Sequence, residues 1–409
     1  NHHVLCGLSG GVDSAISAYL LKSRGFKVTG IFIKNWDDLD ETGHCSGQKD
    51  FQNCQLIADK LNIDLIEYDN VKNYWNKVFT NTLKAYEFGF TPNPDILCNR
   101  YVKFDLLNRL ISESDKFTSF ATGHYAQNSL GNFLECKSDG QRAQLLRSAD
   151  PVKDQSFWLC TISSEHLANA MFPVGALFKK AVKEMARDLG LNTIADQKES
   201  MGMCFIGKRK FTTFINEYLY EKPGLVVFED TKQTIGEHKG IHNYTIGQRM
   251  PLTSKLQGPF FISKLDVATQ TVHVVRYTNN PRLFMQTCYT YPSIWLNDCT
   301  PKLPNHLDFQ WQNKWIPIRA KVEEDSTNIQ TSGFIPANPD ARSEGPPLKV
   351  TLDRFMRCIT PGQWAALYAG NVCVGGAQIR HSLDIIQDGS CRPGELVDWS
   401  SRNFEVFYD

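Results

Sequence analysis

The chain has no excess of charge of either sign: its 409 residues carry 44 Lys and Arg against 44 Asp and Glu. A zero average excludes no polyanionic ligand, because nucleic acid is held by a local basic face. No apolar run approaches the ~18 residues a bilayer span needs, so no membrane contact is expected. Twelve cysteines are present, yet no two have C-x-x-C spacing. A zinc ribbon, a thioredoxin-like pair and an iron–sulfur ligand run are therefore unsupported, and no metal centre is expected. Scattered through so long a chain, these cysteines do not make a secreted disulfide scaffold, and a reducing compartment is the expectation. There is no internal repeat. The chain opens at Asn1 and reads as strand within four residues, which leaves its cellular address unstated.

What is present divides by texture. "VLCGLSGGVDSAISAYLLKSRG" reads as strand, glycine turn and helix, with Val12, Ala15, Ile16, Tyr19 and Leu20 on one helical face. "KVTGIFIKNW" and "DLIEYDN" read as strands, and "FTSFATGHY" as another. Helices are expected near 48–61, over 72–87 with Trp75, Val78, Phe79 and Tyr86 facing inward, and near 101–113. Strands alternating with helices predict a doubly wound parallel sheet, whose ligands lie beyond the carboxyl ends of the strands. From about 210 short strand-like runs replace the amphipathic helices. The expected architecture is mixed α/β: an ATP-binding catalytic domain over 1–210, a small central domain over 211–280 and a β-barrel domain over 281–409. Residues 325–347, with four prolines, read as a mobile loop insertion.

"SGGVDS" between strand and helix has the form of a phosphate cradle. Its glycines let the backbone approach an anion, and the amides of the turn and helix N-terminus point at it. Ser9 and Ser14 add hydroxyl donors. Asp13 would repel a phosphate unless it binds Mg²⁺ or orients the loop. A glycine pair alone could equally serve close helix–sheet packing; the whole hexapeptide in this context favours the cradle. It is not a Walker A loop, since no G-K-[ST] follows. It resembles the PP-loop of ATP pyrophosphatases, which cleave ATP to AMP and pyrophosphate while activating an oxygen as an adenylate. Adenylation makes an amide-like carbon attackable, and a thiolate or persulfide is the natural nucleophile if the product holds sulfur.

Two cysteines stand apart. Cys98 lies in "TPNPDILCNR", a segment stiffened by Pro92 and Pro94, and Cys204 in "SMGMCFIGKRKF", where Lys208, Arg209 and Lys210 would favour a thiolate. Cys6, Cys54, Cys288, Cys358 and Cys373 sit among apolar neighbours and read as small buried hydrophobes. With these blocks in order over almost the whole chain, together with "FIKNW", "ATGHY", "KDQSFWL", "FPVG", "TIGQR" and "TPGQ", the sequence resembles the tRNA-specific 2-thiouridylases. That family places sulfur at position 2 of the wobble uridine of certain tRNAs.

The resemblance implies roles. Gly7, Leu8, Ser9, Gly10, Gly11, Val12, Asp13 and Ser14, with Ile33 and Gly123, would bind ATP, accompanied by Mg²⁺. Cys204 would carry a persulfide delivered by a sulfur donor protein, and Cys98 would be the second catalytic cysteine. Asn93, Pro94 and Asp95 would meet the target base, Asp95 as acid or base. His124, Lys153, Asp154, Gln155 and Gln363 would touch tRNA. The two thiols, 106 positions apart, would have to approach within disulfide reach, about 6 Å between α-carbons.

For RNA contact the residues themselves offer a basic stripe, Lys179, Lys180, Lys183 and Arg187, opposite Phe178, Val182, Met185 and Leu189. A solvated surface explains such a stripe equally well. "RAKVEEDS" departs from the family's basic, aromatic strand: Glu323 and Glu324 would repel phosphate, and Arg319 and Lys321 could substitute in part. The longer loop after it favours a mitochondrial matrix member over a bacterial cytoplasmic one. The competing readings are a PP-loop amide ligase that adenylates a small substrate, and a catalytically silent RNA-binding protein.

Overall fold

The computed structural model describes residues 2–36, 46–138, 140–198, 205–206, 209–252, 258–296, 300–313, 316–327, 344–392 and 397. The first half is built on β1 (His3–Gly7), β2 (Lys27–Lys34), β3 (Asp64–Asp69) and β4 (Ser119–Ala121), then a hairpin of β5 (Gln127–Asn128) and β6 (Leu145–Leu146), then β7 (Ala170–Met171). Strands β3-β2-β1-β4-β7 form one parallel sheet in that order. β1 is wholly apolar over Val4–Cys6 and fully buried, as a central parallel strand covered on both faces should be. Helices Val12–Ser23 and Lys179–Asp188 pack on one face with Ile16, Val182 and Ala186 in a shared core.

Ile96, Phe104 and Leu107 pack on the other face, and two helical runs differ from their sequence-based outlines. Residues 71–87 are helical, but Trp75–Phe79 is a π turn that leaves Trp75 half exposed and buries Tyr74 instead. The second run begins inside "TPNPDILCNR", at Pro94 and not near 101, and continues to Ser112 through a π segment at Asn99–Phe104. Pro94 suits the first helical position because its missing N–H has no partner to lose there. The stiff segment is thus a helix start, and the expected strand through His124 shortens to three residues.

The central sheet contains β8 (Gly224–Phe228), β9 (Gln233–His238), β10 (Arg249–Met250), β11 (Phe260–Asp266) and β12 (Thr271–Arg276), in the order β10-β11-β12-β8-β9. The last sheet has β13 (Phe284–Trp295), β14 (Asn305–Gln310), β15 (Ile318–Glu324), β16 (Glu344–Arg357), β17 (Trp364–Ala369) and β18 (Val372–Asp384). β13 pairs with both β16 and β18, closing a six-stranded barrel around Phe309, Trp311 and Leu348. Closure leaves no edge for these six strands. At its start, however, β18 also takes β6, through Val372 to Leu146, so a hairpin from the first half extends the barrel sheet. Of the expected insertion, 328–343 lie outside the described residues, and Glu344–Pro347 already belong to β16.

Candidate active site

At the carboxyl end of β1 the chain turns through Leu8–Gly11 into a twelve-residue helix. Gly10 has φ +78°, and a Cβ there would lie 2.6 Å from the Asp50 carbonyl, so only glycine fits. Ser14 ties the turn together: its hydroxyl donates to the Gly11 carbonyl (2.9 Å), and its oxygen accepts from the Ser9 amide (3.2 Å). A Cβ on Gly123 would stand 2.7 Å from the Ser14 nitrogen, so "GHY" lies directly against the helix start. These segments frame a cavity of about 390 Å³ lined by Gly7, Leu8, Ser9, Asp13, Ser14, Ile33, Gly123, His124 and Gln155. Val12 turns away into the core.

Asp13 is held, not left facing a ligand. Lys179 Nζ lies 2.7 and 2.8 Å from its two carboxylate oxygens, and the Tyr125 hydroxyl donates to Oδ1 (3.0 Å). Lys179 is buried at this pair, which takes it out of the expected basic stripe. Arg187 pairs with Asp196 (2.8 Å), and Phe178, assigned to the apolar face, is 58% exposed at the helix cap. Lys180 and Arg187 still face outward, with Lys183 half-buried. Nothing in the sequence signals the Asp13–Lys179 pair, whose members are 166 positions apart.

Helix 94–112 brings Asp95 and Cys98 onto one face, one turn apart. Burial raises the Asp95 pKa, against a smaller opposing pull from the Lys103 ammonium. Lys103 itself reaches the cavity lining, a placement the sequence reading missed. His124 is half-buried, with Nδ1 2.9 Å from the Thr122 hydroxyl. Burial and Lys103 together lower its pKa to about 3, so it is a neutral imidazole at physiological pH. Asn99 donates to the Trp158 carbonyl and Arg100 to that of Thr161, which fixes the helix to the "KDQSFWL" segment.

Cys98 is buried among Val78, Phe79, Val102, Phe205, Ile206 and Phe214. Cys204 lies outside the described residues, as does Lys208. Its neighbour Phe205 is 2% exposed in this same cluster, and burying a phenyl ring so fully contributes about 1.5–3 kcal/mol. Arg209 donates to the carbonyls of Phe205 (2.7 Å) and Ile206 (3.2 Å) and lies over the Phe214 ring. Trp36, also missed in the sequence, joins the two regions: it lines the cavity and its ring meets Phe79 at 4.8 Å and Phe205 at 5.8 Å. An aromatic directly after "FIKN" was the available signal. Cys6, Cys54, Cys288, Cys358 and Cys373 are all buried, their pKa values pushed up to about 11 or 12. They are inert thiols, as their neighbours suggested.

A second cavity, of about 270 Å³, opens where three parts of the chain meet; Thr91, Asn93, Trp158, Thr245, Gln312 and Gln363 line it. Thr91 N–H donates to the Pro361 carbonyl (2.9 Å), and Gln363 donates to the Thr91 carbonyl (2.8 Å). Gly247 of "TIGQR" has room only for hydrogen where it meets Cys358. "TPNP", "TIGQR" and "TPGQ" are therefore one junction. Gln155 accepts from the Tyr125 amide (2.9 Å), and Lys153 follows a turn capped by Asp150. The Asp154 carboxylate is buried and engaged by Arg147, Ser148 and Ser156, which suits it to holding its loop. On the barrel, Glu323 is paired with Lys321 (2.7 Å) and Arg319 faces Asp308 (3.5 Å).

Comparison with known proteins bears on the whole chain. The tRNA methyl transferase HUP domain family matches residues 2–208, the tRNA methyl transferase PRC-barrel domain 212–276, and the aminomethyltransferase β-barrel domain 335–379. The mitochondrial tRNA-specific 2-thiouridylase 1 of Drosophila melanogaster is 40% identical, over 92% of this chain and 93% of that protein. This chain belongs to the tRNA-specific 2-thiouridylase family. The human mitochondrial member is 34% identical over 97% of this chain and 95% of its own length. The enzyme MnmA of Chlamydia trachomatis serovar D is 36% identical over 92% and 97%. The domain descriptions speak of methyl transfer, whereas these 2-thiouridylases are named for thiolation. A PP-loop beside a buried cysteine fits activation and sulfur transfer. Among the described residues no helix is long and apolar enough to cross a membrane, and no three His, Cys, Asp or Glu side chains gather as metal ligands.

Proposed function

We propose that this protein is a tRNA 2-thiouridylase that adenylates the 2-oxygen of a wobble uridine with ATP and replaces it with sulfur from a cysteine persulfide. The observation that carries this is the placing of Cys98 one helical turn from Asp95, in the same cluster as Phe205, the residue after Cys204. The family relationship supplies the substrate class.

The triphosphate would lie on the amides of Ser9–Ser14, with adenosine along Ile33 and Gly123. Mg²⁺ would enter with the phosphates and offset their charge. Asp13, already held by Lys179 and Tyr125, serves to set the loop. The wobble base would leave the anticodon stack and enter beside Asn93, Pro94 and Asp95. Its 2-oxygen bonds to the α-phosphorus, pyrophosphate departs with its bridging oxygen, and the N3 proton passes to the Asp95 carboxylate. The terminal sulfur of a Cys204 persulfide then bonds to C2. Cys98 thiolate attacks the inner sulfur, a Cys98–Cys204 disulfide forms, and AMP leaves with the original oxygen. A thiol reductant restores both cysteines for the next cycle. In a variant of this route, Cys98 releases hydrosulfide, which attacks C2.

His124, Lys153, Gln155 and Gln363 would meet the RNA around this entrance, with Asp154 holding their loop. A separate protein would deliver the persulfide. A mitochondrial address is supported by the animal relatives, although a bacterial MnmA is similarly identical. The test uses purified protein, ATP-Mg²⁺, a persulfide donor and unmodified tRNA, with 2-thiouridine read by nucleoside mass spectrometry. Thiolation should vanish in Cys98→Ser and Cys204→Ser while ATP and tRNA still bind. Full thiolation by either variant would remove that cysteine from the mechanism; pyrophosphate released with a small acid and no tRNA would instead indicate the amide ligase.

A further inference from the structure

We propose that Lys103 is a catalytic residue of the adenylation step, its ammonium meeting the negative charge that builds on the α-phosphate as the uracil oxygen bonds to phosphorus. The proposal rests on the thiouridylase reading of the site and adds to it the group that stabilises the transition state.

Three placements carry it. Lys103 lines the nucleotide cavity together with the loop residues Ser9, Asp13 and Ser14 and the facing Gly123. It arrives there from the helix whose first turn bears Asp95 and Cys98, so one element presents both the base-side groups and a cation to the phosphate side. Its direction depends on the π segment. In an unbroken α-helix, position 103 would lie about 140° around the axis from Cys98, five steps of about 100°. Bonding from i to i+5 through Asn99–Phe104 stacks residues five apart and draws Lys103 back toward the Cys98 face. Its field reaches both Asp95 and His124: it adds to the lowering of the His124 pKa by burial and opposes in part the raising of the Asp95 pKa by burial.

The other charged groups nearby are placed for different work. His124 is neutral and cannot offset a phosphate charge. Lys179 is occupied with Asp13. Lys34 also lines the cavity, but it comes from the end of β2 beside Ile33 and shares no element with Asp95. In the step itself the bond from uracil oxygen to α-phosphorus forms and the bond from that phosphorus to the bridging oxygen breaks. The electron pair leaves with pyrophosphate and the N3 proton goes to Asp95. Charge on the α-phosphate oxygens peaks between these events, and a fixed cation in a partly dry cavity acts most strongly then.

The test compares full-length wild type with Lys103→Ala, Lys103→Met and Lys103→Arg. Pyrophosphate release is measured with unmodified tRNA over a range of ATP, beside tRNA binding and thermal melting. Lys103→Ala and Lys103→Met should lower kcat for pyrophosphate release about 10²–10³-fold, with ATP KM and tRNA affinity changed only a few-fold; Lys103→Arg should keep about a tenth or more of the rate. Release by Lys103→Ala within about threefold of wild type, or a loss confined to ATP KM, overturns the proposal. Should Lys103→Ala not fold, Lys103→Met keeps the aliphatic stem and decides the question. A wild type that releases no pyrophosphate with tRNA would defeat the thiouridylase reading itself, whereas active wild type with equally active variants would defeat Lys103 alone.

Discussion

The nucleotide cradle and the three-part junction are built from the same raw material, glycine turns and short polar side chains, yet they are held by different forces. In the cradle, polar groups of one parallel-sheet unit are fixed by a partly buried charge pair, Lys179 on Asp13, and by hydroxyl bonds around Ser14. In the junction, "TPNP" meets "TPGQ" through neutral groups: Thr91 amide to Pro361, Gln363 to the Thr91 carbonyl, and Gly362 pressed against Phe90. The first arrangement prepares a field for a polyanion. The second sets position without adding charge, as suits a segment that must present Asn93 and Asp95 at a fixed distance from the barrel. Field and register are separable, and substitutions should separate them.

The largest separation should come from two glycines. Gly123→Ala puts a methyl 2.7 Å from the Ser14 nitrogen and 2.9 Å from the Asp13 carbonyl carbon, backbone atoms that cannot turn aside. Displacing the helix start by a fraction of an ångström should lower pyrophosphate release on the order of 100-fold. Gly362→Ala strains a φ of +94° and meets the Thr91 nitrogen at 2.8 Å, at a cost of about 1–3 kcal/mol. It should impair the tRNA-dependent reaction while ATP binding, followed by calorimetry without tRNA, stays within about twofold of wild type. Equal loss of ATP affinity in both variants would show that junction and cradle are one mechanical unit.

The same division explains what could be read from the sequence. The cradle's turn and helix start were legible because they rest on near neighbours, Ser9 with Ser14 and Ser14 with Gly11. The partner of Asp13 was not legible. Lys179 sits in a stripe that also contains Lys180, Lys183 and Arg187, and only the fold distinguishes the one that turns inward. The helix start at Pro94 was hidden for the opposite reason, since two prolines read locally as a loop although one of them occupies a first helical position. The π segment that aims Lys103 leaves no mark in the periodicity, because one shifted turn is shorter than any window that measures it. The pairing of β6 with β18 depends on two residues and a contact more than 200 positions away.

A moderate effect should follow from the charge pair. Lys179→Ala leaves Asp13 facing the cavity with only Tyr125, and its side chains are 11% and 30% exposed in the intact pair. Between the values typical of buried and of surface pairs, a loss of about 1–3 kcal/mol in urea denaturation is expected. Pyrophosphate release should fall as well, because an unpaired carboxylate then faces the triphosphate. Combining Lys179→Met with Asp13→Asn should recover part of the stability, with a coupling of about 0.5–3 kcal/mol. Strict additivity would mean the two residues act independently and that the cradle does not depend on their charge.

The smallest effect concerns Asp95, at the seam between the two regions. Burial raises its pKa above the ordinary 3.8, with Lys103 opposing in part. A native carboxyl that holds its proton more tightly than the unfolded chain contributes stability fully present below the unfolded value. That contribution is lost as pH rises through the native value. Ionisation of Asp95 therefore costs stability, a cost that its proposed role of taking a proton from the base would require. Asp95→Asn should abolish thiolation and yet melt higher than wild type at pH 7.5, on the order of 1–2 °C. The difference should shrink as pH is lowered and wild-type Asp95 regains its proton. A melting difference that is independent of pH, or that favours wild type at pH 7.5, would show that the carboxylate is compensated at the seam, with Lys103 closer to an ion-pair partner of Asp95 than to the phosphate it is proposed to serve.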